Sequence, residues 1–89
     1  MRLVFFVKEG CGACKNAREK VDFFLAKWGV SDTVETQTID LSTADGLVEA
    51  AMRDVSDVPT ILLEEDGSEV TRWTRRAPAS DELRARLGV

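Results

Sequence analysis

Leu3-Val4-Phe5-Phe6-Val7 is an unbroken apolar run of strand length, the pattern of a strand covered on both faces. Lys8-Glu9-Gly10 follows as a loop. From Ala13 to Trp28 the period changes. Ala17, Val21, Phe24 and Trp28 recur at helical spacing, while Lys15, Glu19, Lys20 and Lys27 fall largely off that stripe. Gly29 then ends the helix as the residue just past its C-cap. Trp28 reads as a core or boundary aromatic.

Thr33 to Ile39 alternates and is rich in β-branched residues, which predicts a second strand with Val34, Thr36 and Thr38 on one face and Glu35, Gln37 and Ile39 on the other. Ser42 or Thr43 can cap a second helix, and Ser42-x-x-Asp45 loosely fits a capping box. Its expected apolar stripe is Ala44, Leu47, Val48, Ala51 and Met52, ending near Asp54, with Gly46 as a weakening residue inside it. Asp57-Val58-Pro59 breaks the pattern. Thr60-Ile61-Leu62-Leu63 is a third strand, with Pro59 at an opening position where no ladder donor is needed. Asp66-Gly67 is a hairpin-turn signal between this strand and a fourth at Glu69 to Thr74. Ala77-Pro78-Ala79 reads as a linker, Ser80 as the N-cap of a last short helix carrying Asp81 and Glu82 in its first turn, and Leu83 and Leu87 as its anchors. The order β-α-β-α-β-β-α predicts an α/β domain over residues 1–89, with a mixed four-stranded sheet and helices on both faces. The first two strands should be parallel neighbours and the last two antiparallel.

Charge changes the picture little. The chain of 89 residues carries a net charge of −4, which argues against nucleic acid or an anionic membrane as partner. Acids dominate from Ser31 to Val70, with Arg53 the lone base there, whereas Arg72, Arg75, Arg76, Arg84 and Arg86 lie near the end. No signal peptide is evident, since the N-terminal apolar stretch is short and runs into Lys8 and Glu9. No apolar run approaches the ~18 residues of a membrane span. The expected compartment is the cytoplasm, where a cysteine pair is catalytic or metal-binding rather than a structural staple.

That pair carries the chemistry. Cys11 and Cys14 are the only cysteines. They lie between the first strand and the first helix, where unpaired N–H groups and the helix dipole favour an anion, here a thiolate. Cys11 should lie toward solvent as the nucleophile, and Cys14 a turn further in as the resolving thiol. Lys8 is placed to support the thiolate, with Lys15 and Arg18 adding a positive rim. A zinc site within one chain is excluded, because there is no histidine and no further cysteine.

Cys11-Gly12-Ala13-Cys14 after the first strand, Val58-Pro59-Thr60 before the third, and the element order across nearly the whole chain resemble the thioredoxin superfamily, and within it the glutaredoxins and small thioredoxin-like proteins. The resemblance implies a thiol–disulfide oxidoreductase with a redox-active Cys11–Cys14 disulfide and no bound cofactor. It implies a cis Pro59 facing the dithiol, with the Val58 backbone pairing to a substrate strand. Lys8 matches the glutaredoxin lysine that meets the glycyl carboxylate of glutathione. The implied partners are a disulfide-bearing protein or small molecule and a reducing system, either glutathione or a thioredoxin reductase, acting on a monomer. The departures are specific. Gly10 stands where thioredoxins have Trp, Ala13 where they have Pro, and Phe5 where they have a buried Asp. Thr71-Arg72-Trp73-Thr74 lacks the glutaredoxin Gly-Gly-x-Asp, for which Arg72, Arg75 or Arg76 are substitute carboxylate anchors. The alternatives are a non-catalytic interaction module docking through the Arg-rich C-terminal segment, and a metal or iron–sulfur site shared between chains. A copper chaperone fits poorly, since Glu9 stands where that family has Met and no hairpin follows the first helix.

Overall fold

Four consecutive side chains of β1 (Arg2–Val7), Leu3 to Phe6, are buried, and they alternate between two cores. Successive side chains of a strand point to opposite faces. Leu3 and Phe5 therefore join one cluster with Ala17, Val21, Leu25, Ile61, Leu63, Trp73 and Leu83, while Val4 and Phe6 join another with Ile39, Leu41, Ala50, Val55 and Leu62. The computed structural model describes residues 1–89, in the order β1, α1 (Gly12–Lys27), β2 (Glu35–Asp40), α2 (Ala44–Met52), β3 (Thr60–Glu65), β4 (Ser68–Thr74) and α3 (Ser80–Leu87). The sheet order is β2-β1-β3-β4. β1 pairs in parallel with β2 and β3 antiparallel with β4, as the pattern predicts, and the structure adds an antiparallel pairing of β1 with β3. The first core contains side chains of α1 and α3 and the second contains Ala50 of α2, so helices cover both faces.

The elements end where their chemistry ends them. Asp66 and Gly67, with φ of 52° and 79°, make the tight turn between β3 and β4 that the Asp-Gly pair signals. β2 begins two residues later than the alternation suggests and is an edge strand, buried only at Ile39. Val34, just before it, packs into the α1-side core instead. At the start of α3 the cap is Ala79 rather than Ser80. Ala79 offers no side-chain acceptor, but the Glu82 carboxylate accepts from its backbone N–H at 3.0 Å, the returning half of a capping box.

The largest departure is α2. The expected apolar stripe faces outward: Leu47, Val48 and Met52 are 54%, 59% and 75% exposed. The buried positions are Gly46 and Ala50, one turn apart. Thr43, not Ser42, caps the helix, its Oγ1 accepting from the Gly46 N–H at 2.9 Å. A Cβ placed on Gly46 would run into the Asp40 carbonyl. The contact face of α2 is thus chosen by how closely its backbone approaches the end of β2, which only small side chains permit. The glycine taken as a weakness is the residue that permits this approach.

Helix propensity alone would make Gly46→Ala stabilising by about 1 kcal/mol. The clash is with backbone, so overpacking of about 1–3 kcal/mol should win, and net stability should fall. Met52→Gln should shift stability by no more than about 0.5 kcal/mol. Urea denaturation midpoints of the two variants check both; a raised midpoint for Gly46→Ala would refute the close approach.

Candidate active site

The loop leaving β1 is held on both sides before it reaches the first cysteine. Leu41 N–H donates to the Val7 carbonyl at 2.8 Å, Glu9 N–H donates to Ser42 Oγ at 2.9 Å, and Ser42 N–H donates to Asp40 Oδ1 at 2.8 Å. Ser42, one of the two cap candidates, ties the dithiol loop to the β2–α2 loop, and the cap falls to Thr43. Cys11 N–H donates to the Lys8 carbonyl at 3.2 Å, and α1 starts at the next residue.

Cys11 is the N-cap of α1. Its Sγ accepts from the Cys14 N–H at 3.1 Å, the bond a serine or aspartate makes at this position. No acidic residue lies in the first turn to compete for the free N–H groups. Cys11 is half-buried, whereas Cys14 is 4% exposed, and the two are joined as a disulfide. Gly12 between them faces open space. The sulfur at the helix end is therefore the accessible one, in the field that favours its anion, and the second sulfur lies behind it.

Pro59 is brought to the same end of the molecule. A shallow groove is lined by Ala13, Asn16 and Lys20 of α1 and by Pro59, Arg75 and Arg76 across from them. Thr60 Oγ1 donates to the Asp57 carbonyl at 2.7 Å, and Arg75 N–H donates to the Pro59 carbonyl at 2.6 Å, so Pro59 is fixed from before and after. The Val58–Pro59 peptide bond is cis. The Val58 side chain packs against the α2-side core, and neither its N–H nor its C=O bonds within the chain.

The cations sort differently from expectation. Lys8 is exposed and in no ion pair, with its carbonyl rather than its ammonium engaged at the dithiol. Arg18 is not part of a positive rim. Its guanidinium lies 4.4 Å over the Phe5 ring and donates to Asp22, Thr36 and Thr38. A residue four along from Cys14 points back across the sheet, and the Phe5 face rewards it. Arg72 is not a free anchor either. It is paired with Glu69 at 2.6 Å and donates to the Arg53 and Asp54 carbonyls, and this pairing holds the Glu69 carboxyl below its ordinary range. Arg76 forks onto Glu82 at 2.8 and 2.9 Å. Arg75 alone of the three makes no side-chain hydrogen bond or ion pair. Asn16 and Lys20 were not singled out from sequence; their exposed places on α1, two and six residues beyond Cys14, were the available signal. No group of three or more His, Cys, Asp or Glu is gathered in a metal-ligating arrangement, and no helix is long and apolar enough to cross a membrane.

Known structures match this arrangement along its whole length. Thioredoxin 1 from Thermosipho africanus TCF52B superposes with a TM-score of 0.76 at 18% identity, over 99% of this chain and 96% of that one. The chain has the thioredoxin fold. A malaria-parasite thioredoxin-2, described as a component of the protein secretion machinery, matches with a TM-score of 0.76 at 22% identity, covering 98% and 80%. Fasciola hepatica thioredoxin matches at 26% identity and a TM-score of 0.67, covering 98% and 75%. No family model and no curated protein matches the sequence.

Glu82 links the groove wall to α3. Its carboxyl is pushed down to about 2, first by the Arg76 guanidinium and then by the Ala79 N–H. A depressed carboxylate contributes stability above its unfolded value, and that contribution is lost as pH falls through the folded one. The Glu82 contribution should therefore be complete above its ordinary value of 4.5 and decline toward about 2. Thermal melts across that window should show a shallower acid dependence in Glu82→Gln than in the parent; parallel curves would mean the Arg76 fork is not maintained in solution.

Proposed function

We propose that the protein is a small dithiol–disulfide oxidoreductase in which Cys11 attacks, Cys14 resolves, and Val58 and Pro59 dock the substrate. The observation that carries the reading is Cys11 Sγ at the N-cap of α1, accepting the Cys14 N–H at 3.1 Å with the buried Cys14 sulfur bonded to it. The thioredoxin fold supports the same reading.

In the reduced protein the Cys11 thiolate attacks one sulfur of a substrate disulfide. A Cys11–substrate S–S bond forms, the substrate S–S bond breaks, and the departing sulfur takes a proton from solvent. Cys14 then gives up its proton and attacks Cys11 Sγ. The mixed disulfide breaks, the Cys11–Cys14 bond forms, and the second substrate sulfur leaves as a thiolate. Two electrons pass from the dithiol to the substrate. Cys14 reaches Cys11 without moving the helix, because the cap geometry already brings the two together. The helix N-terminus stabilises the Cys11 thiolate as the attacking group, with Lys8 adding positive charge nearby. The unpaired N–H and C=O of Val58 fit an extended substrate segment, which would satisfy them by strand-like pairing. Recovery of the dithiol needs an external thiol or dithiol, so the reading belongs with a reducing compartment such as the cytoplasm.

Insulin reduction driven by dithiothreitol should accelerate with the parent protein and not with Cys11→Ser. With dithiothreitol removed after reduction, Cys14→Ser should halt after one attack on insulin and accumulate a mixed disulfide visible by intact mass. No acceleration by the parent, with the protein folded, would leave the interaction-module alternative standing.

The electron donor follows from the same site. Glutathione needs both carboxylates and its amine held at once. The chain retains Lys8 and the Val58 backbone, but Arg72 and Arg76 are committed to Glu69 and Glu82. Each lost charge-assisted contact costs about 1.5–3 kcal/mol, roughly ten- to a hundredfold. Turnover of a small disulfide should be faster with thioredoxin reductase and NADPH than with glutathione, glutathione reductase and NADPH; the reverse order would place the protein with the glutaredoxins.

A further inference from the structure

On the reading of the protein as a disulfide reductase, we infer that the groove between α1 and the chain after β4 selects substrates that carry an acidic side chain close to the reactive cysteine. The groove, of about 240 Å³, runs beside the dithiol from Ala13 and Asn16 to Pro59 and Arg75. That volume accommodates a side chain or two rather than a cofactor.

Its charge is the reverse of the protein's. The chain carries −4 overall, yet Lys20, Arg75 and Arg76 line the groove and no carboxylate does. Of these, Arg76 is turned onto Glu82. Arg75 makes no ion pair or side-chain hydrogen bond, and Lys20 makes no ion pair, its Nζ resting 5.9 Å from the Phe24 ring. Most other arginines are consumed internally: Arg2, Arg18, Arg53 and Arg72 all hold carboxylates of the same chain. Lys8 and Lys15, which bracket the dithiol in the chain, are likewise exposed and in no ion pair. Glu9 and Asp57 are exposed on neighbouring loops, and neither lines the groove.

Arg75 is also fixed in place. It is a non-glycine residue at φ 62°, in the left-handed region that bulky residues seldom adopt. Its N–H is bonded to the Pro59 carbonyl at 2.6 Å. Its guanidinium therefore starts from a backbone atom clamped to the residue that docks substrate. A segment paired to Val58 with its cysteine at Cys11 Sγ would lay a neighbouring side chain toward Arg75, Lys20 and the Asn16 amide. A carboxylate there gains a fork from Arg75 and a second positive charge from Lys20, whereas a lysine meets like charges.

The test uses the full-length reduced protein and three symmetrical peptide disulfides that differ only two residues from the cysteine, with Glu, Gln or Lys there, plus glutathione disulfide. Second-order rate constants are read after acid quenching. At low salt the Glu peptide should react roughly fivefold faster than the Gln peptide and the Lys peptide slower than both, the size expected for exposed pairs. The preference should shrink toward unity at high salt, as screening requires. In Arg75→Gln, and further in Arg75→Gln with Lys20→Gln, the Glu-to-Gln rate ratio should fall toward one; Arg86→Gln, remote from the groove, should keep the parental ratio. Equal rates for the Glu and Gln peptides in the parent, or an unchanged ratio in Arg75→Gln, would overturn the groove's role. A loss in Arg75→Gln confined to glutathione disulfide would also overturn it, and would assign Arg75 to a free tripeptide instead. Failure of the parent to reduce any of the four would bring down the reductase reading itself.

Discussion

β1 has both faces buried and both edges hydrogen-bonded, and every other element is placed by that fact. Its side chains alternate between the α1–α3 core and the α2 core, so neither helix layer can form without it. Its two edges carry β2 in parallel and β3 antiparallel. A strand so enclosed cannot slip by one residue without exchanging its two apolar sets, and the register Phe6↔Ile39 and Phe6↔Thr60 is held by that penalty. The C-terminal end of β1 is where the chain leaves for Cys11, and the start of β3 beside it is where Pro59 enters. The proximity of dithiol and proline is thus a consequence of strand pairing.

The dithiol draws on the same economy of backbone groups. α1 begins with N–H groups that need acceptors, and Cys11 Sγ takes one of them. The loop before it cannot drift, since Ser42 and Val7 hold its neighbours. The Cys11–Cys14 disulfide, the helix cap and the loop anchors are one connected set, and disturbance of any one bears on the position of Cys11 Sγ.

Charge is distributed on a second principle. Arg53 bridges Glu49 and the buried Glu64, and the Glu49 hydrogen bond is the chief reason its guanidinium is held above its ordinary range. Arg72 and Arg76 close similar pairs on β4 and at the start of α3. Part of the acidic middle of the chain is in this way neutralised locally, Glu49 and Glu64 by Arg53 and Glu69 by Arg72, while Lys20 and Arg75 beside the dithiol stay unpaired.

Periodicity and turn chemistry were sufficient for much of this protein. A run as apolar and as short as Leu3–Val7 reads as an enclosed strand, Asp66-Gly67 can close a hairpin by its own backbone preferences, and two cysteines at a strand-to-helix junction stand where a helix end favours an anion. These are local properties, carried by adjacent residues. The contact face of α2 is not local: Leu47, Val48 and Met52 are the more hydrophobic side, but the approach to Asp40 leaves no room for a Cβ at Gly46, and Ala50 on the same side is the residue that enters the core. The fate of each arginine is not local either, because the Phe5 ring, Glu69 and Glu82 that engage Arg18, Arg72 and Arg76 are brought within reach by the sheet and the α3 cap. Sequence determined which elements form and that the cysteine pair stands at a helix start; tertiary structure decided which faces meet and which charges remain free, since both depend on distances between segments that the chain order does not contain.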